Sequence, residues 1–301
     1  MAASLRSSFW SDAPGYQRMA YLVGAALILV GLTHAAIWAV VGGTAEGPLS
    51  WRKPTTFGIS FGLTTLTLGW FGTYLPVRRW IGWVTSSVLC LSTTLEVVYV
   101  SVQRARGVPS HFNNLTALDE ALFTAGGITI AFTDVVILAM TVASFVICTA
   151  PAPMTWAIRG GLVALLAAQG MGAWMIVHGI GLLDEGATAL TQSMTTYGAA
   201  GSMKFTHAVP MHGIQVLAGL AWLLGFTGLS VRRQSVTVGV AIAGYASLFA
   251  VALARTAAGL EPFDLVSAST LLYLAPAVLL GAAAVAAAAG LRPYPHSPAR
   301  L

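Results

Sequence analysis

Charged residues are scarce in this sequence. Only 8% of its 301 residues are Asp, Glu, Lys or Arg, whereas 56% are hydrophobic. Soluble domains carry about 25% charged residues, so the composition excludes an ordinary soluble domain and indicates a polytopic protein surrounded by lipid bilayer. The formal net charge is +5, but the basic residues are dispersed between apolar runs. Because they form no basic stripe, nucleic acid is not an expected partner.

Cysteine is also rare. The two cysteines, Cys90 and Cys148, fall in separate apolar runs, which excludes a disulfide framework and a CxxC site. We find no Gly-rich phosphate loop, no nucleophile elbow and no HExxH zinc motif. No enzymatic reaction is therefore assigned from motifs, and whether the chain is an enzyme stays open.

Long apolar runs are abundant. A helix needs roughly 20 apolar residues to cross a bilayer. Eight runs of this kind occur, at about residues 19–42, 56–75, 80–102, 122–148, 156–181, 209–230, 236–257 and 266–290. Lys and Arg favour the loops on the side of both termini, so we predict a multi-pass protein of a bacterial-type plasma membrane with both termini cytoplasmic.

The two halves of the chain resemble each other. Each has a Lys before its second apolar run, an Arg-Arg pair after that run and an Arg at the end of the third. These markers are Lys53 and Lys204, Arg78-Arg79 and Arg232-Arg233, Arg104 and Arg255, followed by Phe112-Asn113 and Phe263-Asp264. We predict an all-α fold of eight transmembrane helices, arranged as a 4+4 tandem repeat with a site where the halves meet. The first four-helix repeat is 19–149 and the second 150–291, flanked by cytoplasmic segments 1–18 and 292–301.

Histidines cluster towards the predicted outer face. The stretch SMKFTHAVPMHGIQ (202–215) places Pro210 between His207 and His212. Proline is well tolerated at the first position of a helix, so we predict that the sixth span begins at Pro210 and that His207 lies on an extended approach. His34 and His178 occupy equivalent places in the repeat. Since imidazole is a common metal ligand, all four are candidate ligands, with His34 and His178 the favoured axial pair.

Six cations lie on the outer side, against the charge bias. They are Arg52, Lys53, Arg104, Arg106, Lys204 and Arg255. Snorkelling towards the interface explains some of them, but cations at helix mouths also suit a bound anion. Two acids, Glu96 and Asp134, fall inside apolar runs, where an acid is either protonated, paired, hydrogen-bonded between helices or part of a proton route.

Three functional hypotheses follow. The first is a haem b protein with a possible redox role, whose outer cations hold the propionates and whose partner at the outer face is an electron-transfer protein or a small molecule. The architecture resembles the eight-helix haem A synthase proteins, in which paired histidines are expected in each half; here Thr56 and Phe61 stand where the first half would match His207 and His212. The second is a transporter or channel for a small anion or a proton-coupled solute. The third is copper handling, similar in span number to bacterial copper-resistance membrane proteins and suggested by Met171, Met175 and His178 on one helical face.

Overall fold

A computed structural model describes residues 10–45, 47–184, 203–262 and 268–291, and these contain helices and no strand. The helices are α1 (Gly15–Val41), α2 (Arg52–Phe71), α3 (Arg79–Ala105), α4 (Ala117–Val146), α5 (Ala152–Asp184), α6 (Met203–Met211), α7 (Gly213–Leu224), α8 (Val231–Ala257) and α9 (Leu274–Gly290). Short 3-10 turns precede α9 and follow α2. Residues 1–9, the tail 292–301 and the repeat marker Phe263-Asp264 lie outside the described residues.

Within the residues that the structure describes, seven helical segments are long and apolar enough to cross a membrane, which agrees with a polytopic membrane protein. The pair α6–α7 counts as one of them, and α9 counts together with its 3-10 turn. Helix α2 has 20 residues but is more polar than these seven segments, because it carries several threonines and begins with Arg52-Lys53. Half of its residues, Thr64 and Thr65 among them, are buried against protein.

Glycines allow α1 and α2 to pack in unusually close contact. A Cβ atom added at Gly31 would lie 2.6 Å from the backbone nitrogen of Ile59, and one at Gly58 would lie 2.6 Å from the Cα atom of Gly31. Gly24 and Gly62 make the same kind of approach one to two turns away. Small residues at such a crossing let two backbones meet and gain dispersion energy. The polar helix α2 is thereby fixed along the length of α1.

The helices of each half pack in a similar order. In the first half, α1 packs on α2 and α3, α2 on α3, and α3 on α4. In the second half, α5 packs on α6, α7 and α8, both α6 and α7 on α8, and α8 on α9. The halves meet where α4 packs on α5 and where α2 packs on α7. A hydrophobic core that includes Leu68, Phe71, Ile158, Leu217 and Leu224 joins the two halves.

The prediction for the start of the sixth span is wrong. Residues 203–211 are helical with Pro210 inside the helix, so His207 and Val209 are not extended, and the break follows Met211. Packing outweighs the preference of proline: the Thr206 hydroxyl lies 3.1 Å from the Ala252 carbonyl oxygen and 2.7 Å from the Thr256 hydroxyl, and Val209 is buried. The break lies two residues after Pro210, where His212 leaves helical geometry with φ −89° and ψ 0° before α7 begins.

Candidate functional site

Glu96, the single acid of α3, is deeply buried and is incompletely satisfied in its hydrogen bonding. Its side chain is 2% exposed, and Oε1 lies 3.6 Å from Nε2 of His111. No hydrogen-bond partner is found for Oε2 among the described residues. One turn before Glu96 on α3, the Ser92 hydroxyl meets the Thr133 hydroxyl of α4 at 2.7 Å. A buried carboxyl with an unmatched oxygen and an imidazole beside it is a site for a proton.

The loop between α3 and α4, residues 106–116, brings His111 to Glu96. The Tyr99 hydroxyl, one turn beyond Glu96 on α3, donates a hydrogen bond to the carbonyl oxygen of Ser110. At the start of the loop, Gly107 adopts φ +71° and ends α3, with the Val108 N–H donating to the Gln103 carbonyl at 3.1 Å. The loop is thus folded back over the outer end of α3 instead of extending away from it.

The imidazole of His111 is enclosed by aromatic rings. Its centroid lies 5.7 Å from the ring of Phe57 on α2, 6.1 Å from Tyr99 and 6.0 Å from Phe123 on α4. Burial lowers the pKa of His111 well below its usual value of 6.5, and the nearby positive charge of Lys53 lowers it further. His111 is therefore neutral at physiological pH and able to accept a proton only in acid.

Lys53 supplies the positive charge of this cluster. It lies in the first turn of α2, its ammonium is 5.7 Å from the ring centroid of Phe57, and its charge interacts with that of Glu96. Lys204, at the start of α6, is close enough for its charge to act on Lys53. Two lysines from different halves thus approach each other at helix N-termini, where the helix dipole also favours anions. We call Lys53, Glu96, Tyr99 and His111 the outer cluster.

A second group of donors lies at the end of α1. The guanidinium of Arg104 lies over the ring of Trp51, 4.1 Å from its centroid, and the imidazole of His34 lies 6.0 Å from the same residue. Both Nε of Arg104 and Nε1 of Trp51 are buried without a hydrogen-bond partner among the described residues. Two unmatched N–H donors in one stack indicate a place for an acceptor, and a positive one favours an anion. We call Trp51, Arg104 and His34 the outer stack.

The other three cations of the predicted outer side form hydrogen bonds or an ion pair within the protein. Arg52 donates from Nε to the Ala45 carbonyl at 2.7 Å. Arg106 pairs with Asp119 at 2.6 Å, which holds the ends of the loop together. Arg255 is 2% exposed, and its Nε and Nη2 donate to the Glu261 carbonyl at 3.0 and 2.6 Å. The remaining three cations lie near the groups described above. The charge of Lys53 acts on Glu96, that of Lys204 acts on Lys53, and Arg104 stacks on Trp51.

The four histidines proposed as ligands are not all brought together. His34 is on α1, which packs on α2 and α3, whereas His178 is exposed on α5, which packs on α4, α6, α7 and α8. His207 lies on α6 with Nδ1 2.7 Å from the Ala168 carbonyl oxygen, and His212 occupies the break before α7. Among the described residues, no group of three or more His, Cys, Asp or Glu side chains is placed to hold a metal ion.

Asp134 has an interhelical partner. Nε2 of Gln169 on α5 donates a hydrogen bond to its Oδ1, so this acid links α4 of the first half to α5 of the second. The environment of Asp134 thus differs from that of Glu96, whose Oε2 is unmatched. Of the two candidate acids, Asp134 fits the hydrogen-bonded structural alternative.

Several residues of this region were not singled out by sequence reasoning. His111 and Trp51 belong to no sequence motif, and Phe112 stands out only as a repeat marker. Phe112 is 1% exposed with φ +58°, and the backbone of Gly179 on α5 is in contact with its ring. The signal available in the sequence was the pair of aromatic side chains His111-Phe112 within a loop, because loops normally remain at the surface.

No family model, no curated protein and no solved structure matches the chain.

Proposed function

We propose that the protein transports a small anion across the membrane together with a proton. The observation that carries the proposal is the outer cluster, in which Glu96 is 2% exposed, has an unmatched Oε2 and lies beside both His111 and the charge of Lys53. Ionisable groups within a membrane protein are expensive and mark routes for protons or ions.

Competition for Lys53 couples the proton to the anion. While Glu96 is ionised, its carboxylate attracts the ammonium of Lys53 and repels an incoming anion. Protonation of Glu96 removes this negative charge, so the positive potential of Lys53 and of the α2 N-terminus acts on the anion instead. Proton binding and anion binding therefore strengthen each other, which is the thermodynamic requirement for moving them together.

The outer stack supports an anion as the solute. Nε of Arg104 and Nε1 of Trp51 are donors without acceptors among the described residues, and only an acceptor satisfies both. An anion held there would lie at the outer end of the same helices that carry Glu96 and Lys53. We infer that the outer stack captures the anion and the outer cluster links its entry to a proton.

We further infer that α2 crosses the membrane as an eighth span and that the halves are a tandem duplication. A helix of 20 residues is about 30 Å long, enough to cross, and its polar side is shielded by protein. The similar packing order of the halves and the glycine-terminated ends of α3 and α8 support duplication; Gly107 has φ +71° and Gly259 has φ +68°. The seam between α2 and α7, where Gln215 lies 3.4 Å from Thr64, would then run between the halves.

The first experiment measures anion binding against pH. The purified protein is titrated with inorganic phosphate, nitrate and formate at several pH values, with thermal unfolding as the readout. We expect one of these anions to stabilise the protein more strongly as the pH falls. Glu96→Gln should bind that anion with an affinity that no longer depends on pH, since the glutamine mimics the protonated carboxyl.

The second experiment measures transport. Vesicles that contain the protein and a trapped pH-sensitive dye receive an inward gradient of the same anion. Wild-type protein should acidify the interior, and Glu96→Gln should carry the anion without acidification. Asp134→Asn is the matched control, an intramembrane acid that already has a hydrogen-bond partner. Equal acidification by wild type and Glu96→Gln, or the same loss in Asp134→Asn, would contradict the assignment of Glu96.

Haem b is a second candidate, favoured by one observation. Nδ1 of His34 lies 2.9 Å from the Val30 carbonyl oxygen, and Nδ1 of His207 lies 2.7 Å from that of Ala168. An Nδ1–H donated to a carbonyl leaves Nε2 as the ligating nitrogen. A visible spectrum of oxidised and reduced protein tests haem with His34 and His178 as axial ligands, and metal analysis tests copper; both stay predictions.

A further inference from the structure

A cavity of about 150 Å³ lies in the inner half of the first four-helix unit, far from the outer cluster. Its walls come from the beginnings of α1 and α3, the end of α2 and the second half of α4. They are mainly apolar and include Leu68, Leu75, Ile81, Leu89, Val136 and Met140. Ala139 lines the cavity and is itself exposed, so the cavity opens sideways towards lipid. Its shape and position suit a hydrocarbon chain that enters from the bilayer.

Positive charge and aromatic side chains border this cavity on the side that the sequence predicts to be cytoplasmic. Arg78 adjoins the lining residue Val77, Arg79 begins α3 two residues before Ile81, and both arginines are exposed. Arg18 follows the lining residue Gln17, while Asp12 is the acid nearest along the chain. Trp80 is 63% exposed, as expected for an anchor at the level of lipid headgroups. An apolar cavity thus adjoins three arginines at the height where phosphates lie.

We propose that this cavity and the Arg78-Arg79 pair form a binding site for an anionic phospholipid of the inner leaflet. A segment of one acyl chain occupies the cavity between α1 and α4, the rest of the chain lies in the bilayer, and the headgroup phosphate contacts the two guanidinium groups. Guanidinium groups suit phosphate because they offer parallel N–H donors. A zwitterionic lipid would fill the cavity equally well, but its choline would be repelled by the arginines. The arginines therefore select an anionic headgroup, and the cavity holds the acyl chain.

The second half of the protein offers a matched control. Arg232-Arg233 holds the equivalent place in the sequence, at the start of α8. A cavity of about 40 Å³ lies beside this pair and is lined by both halves, with Tyr74 of the first half and Gln234 of α8 among its residues. The same charge pair is therefore present there beside a much smaller cavity, so the two pairs separate simple surface attraction from a built lipid site.

The test measures lipid retention by native mass spectrometry. Full-length protein is exchanged into detergent with equal amounts of phosphatidylglycerol and phosphatidylcholine. We expect wild type to retain one phosphatidylglycerol in preference to phosphatidylcholine. Arg78→Gln/Arg79→Gln should weaken this retention about tenfold or more, because each basic residue near a lipid surface contributes substantially to binding. Arg232→Gln/Arg233→Gln should leave it unchanged.

Two further variants distinguish the parts of the site. Ala139→Phe fills the cavity and should reduce retention of the lipid with both arginines intact. Arg78→Lys/Arg79→Lys keeps the charge and should retain most of the binding, which guards against a folding defect in the glutamine variant. Equal retention of both lipids, or equal losses from the two Arg-Arg pairs, would overturn the proposal.

Discussion

Glu96 shows how a single residue becomes informative when its surroundings are known. In the sequence it is an acid within an apolar run, and that alone predicts a proton route, an ion pair or a hydrogen bond. Only the fold distinguishes it from Asp134, because the loop that carries His111 and the helix that carries Lys53 are distant in sequence. The candidate acids and cations were predictable from the sequence, whereas the groups that each of them meets in the fold were not.

His111 makes the stability of the folded loop 106–116 depend on pH. Its pKa in the folded protein lies well below 6.5, so the opened loop binds a proton first as the pH falls. The stabilisation by neutral His111 is therefore complete above the ordinary pKa and decreases as the pH falls below about 6.5. Hydrogen exchange of residues 106–116, corrected for the intrinsic pH effect, should show easier opening in acid.

The same measurement on His111→Gln provides the control. Glutamine does not titrate, so opening of the loop should become nearly independent of pH in this variant. A wild-type loop whose corrected exchange is constant from neutral pH into acid would contradict the role of His111.

The donors of the outer stack predict separate effects of two substitutions. Arg104→Gln should weaken the affinity for the anion about tenfold or more, because a hydrogen bond from a charged donor contributes roughly 1.5–3 kcal/mol. The loss is read as a smaller thermal stabilisation by the anion. Trp51→Phe keeps an aromatic ring beneath Arg104 and removes the pyrrole ring with its uncharged Nε1 donor, so it should have a smaller effect. Arg106→Gln, which breaks the pair with Asp119, should lower thermal stability without a specific effect on anion affinity.

At the scale of helices, the sequence predicted positions well and interruptions poorly. The apolar runs at 80–102 and 236–257 became α3 (Arg79–Ala105) and α8 (Val231–Ala257). Hydropathy locates such helices because every turn must match lipid or apolar protein. The break after Met211 depends on how Thr206 and Val209 pack against neighbouring elements, and local propensity contains no information about those contacts.

Phe112 packs the loop 106–116 against Gly179 of α5 in the second half. A methyl group at Gly179 would overlap its ring, which is buried and lies 5.5 Å from Phe123, so the ring has little room to move. Gly179→Ala should destabilise the protein by about 1–3 kcal/mol in thermal or chemical unfolding, as expected for overpacking. Gly181→Ala, on the same helix with open space around it, should have little effect.

A double substitution isolates this contact. Phe112→Ala removes the ring, so Gly179→Ala should be much less harmful in that background than in wild type. Additive effects of the two substitutions would mean that the methyl group acts elsewhere.

At the scale of the whole molecule, the interface between the halves combines an apolar core with a few polar links. The link between Gln169 and Asp134 joins α5 to α4. Gln169→Leu should destabilise the protein by about 1–3 kcal/mol because it leaves a half-buried carboxyl unmatched. Unchanged unfolding of Gln169→Leu would show that this link contributes nothing to the joining of the halves.

The close glycine contact between α1 and α2 has a consequence for biosynthesis. A nascent α2 is too polar to leave the translocon for lipid alone, whereas α1 is strongly apolar. We therefore expect α1 to wait at the lateral gate until α2 emerges, and the two to enter the bilayer as a preassembled hairpin. Enlarging Gly31 or Gly58 would then act on the ribosome-bound chain, before a folded protein exists, and would send α2 to the wrong side of the membrane.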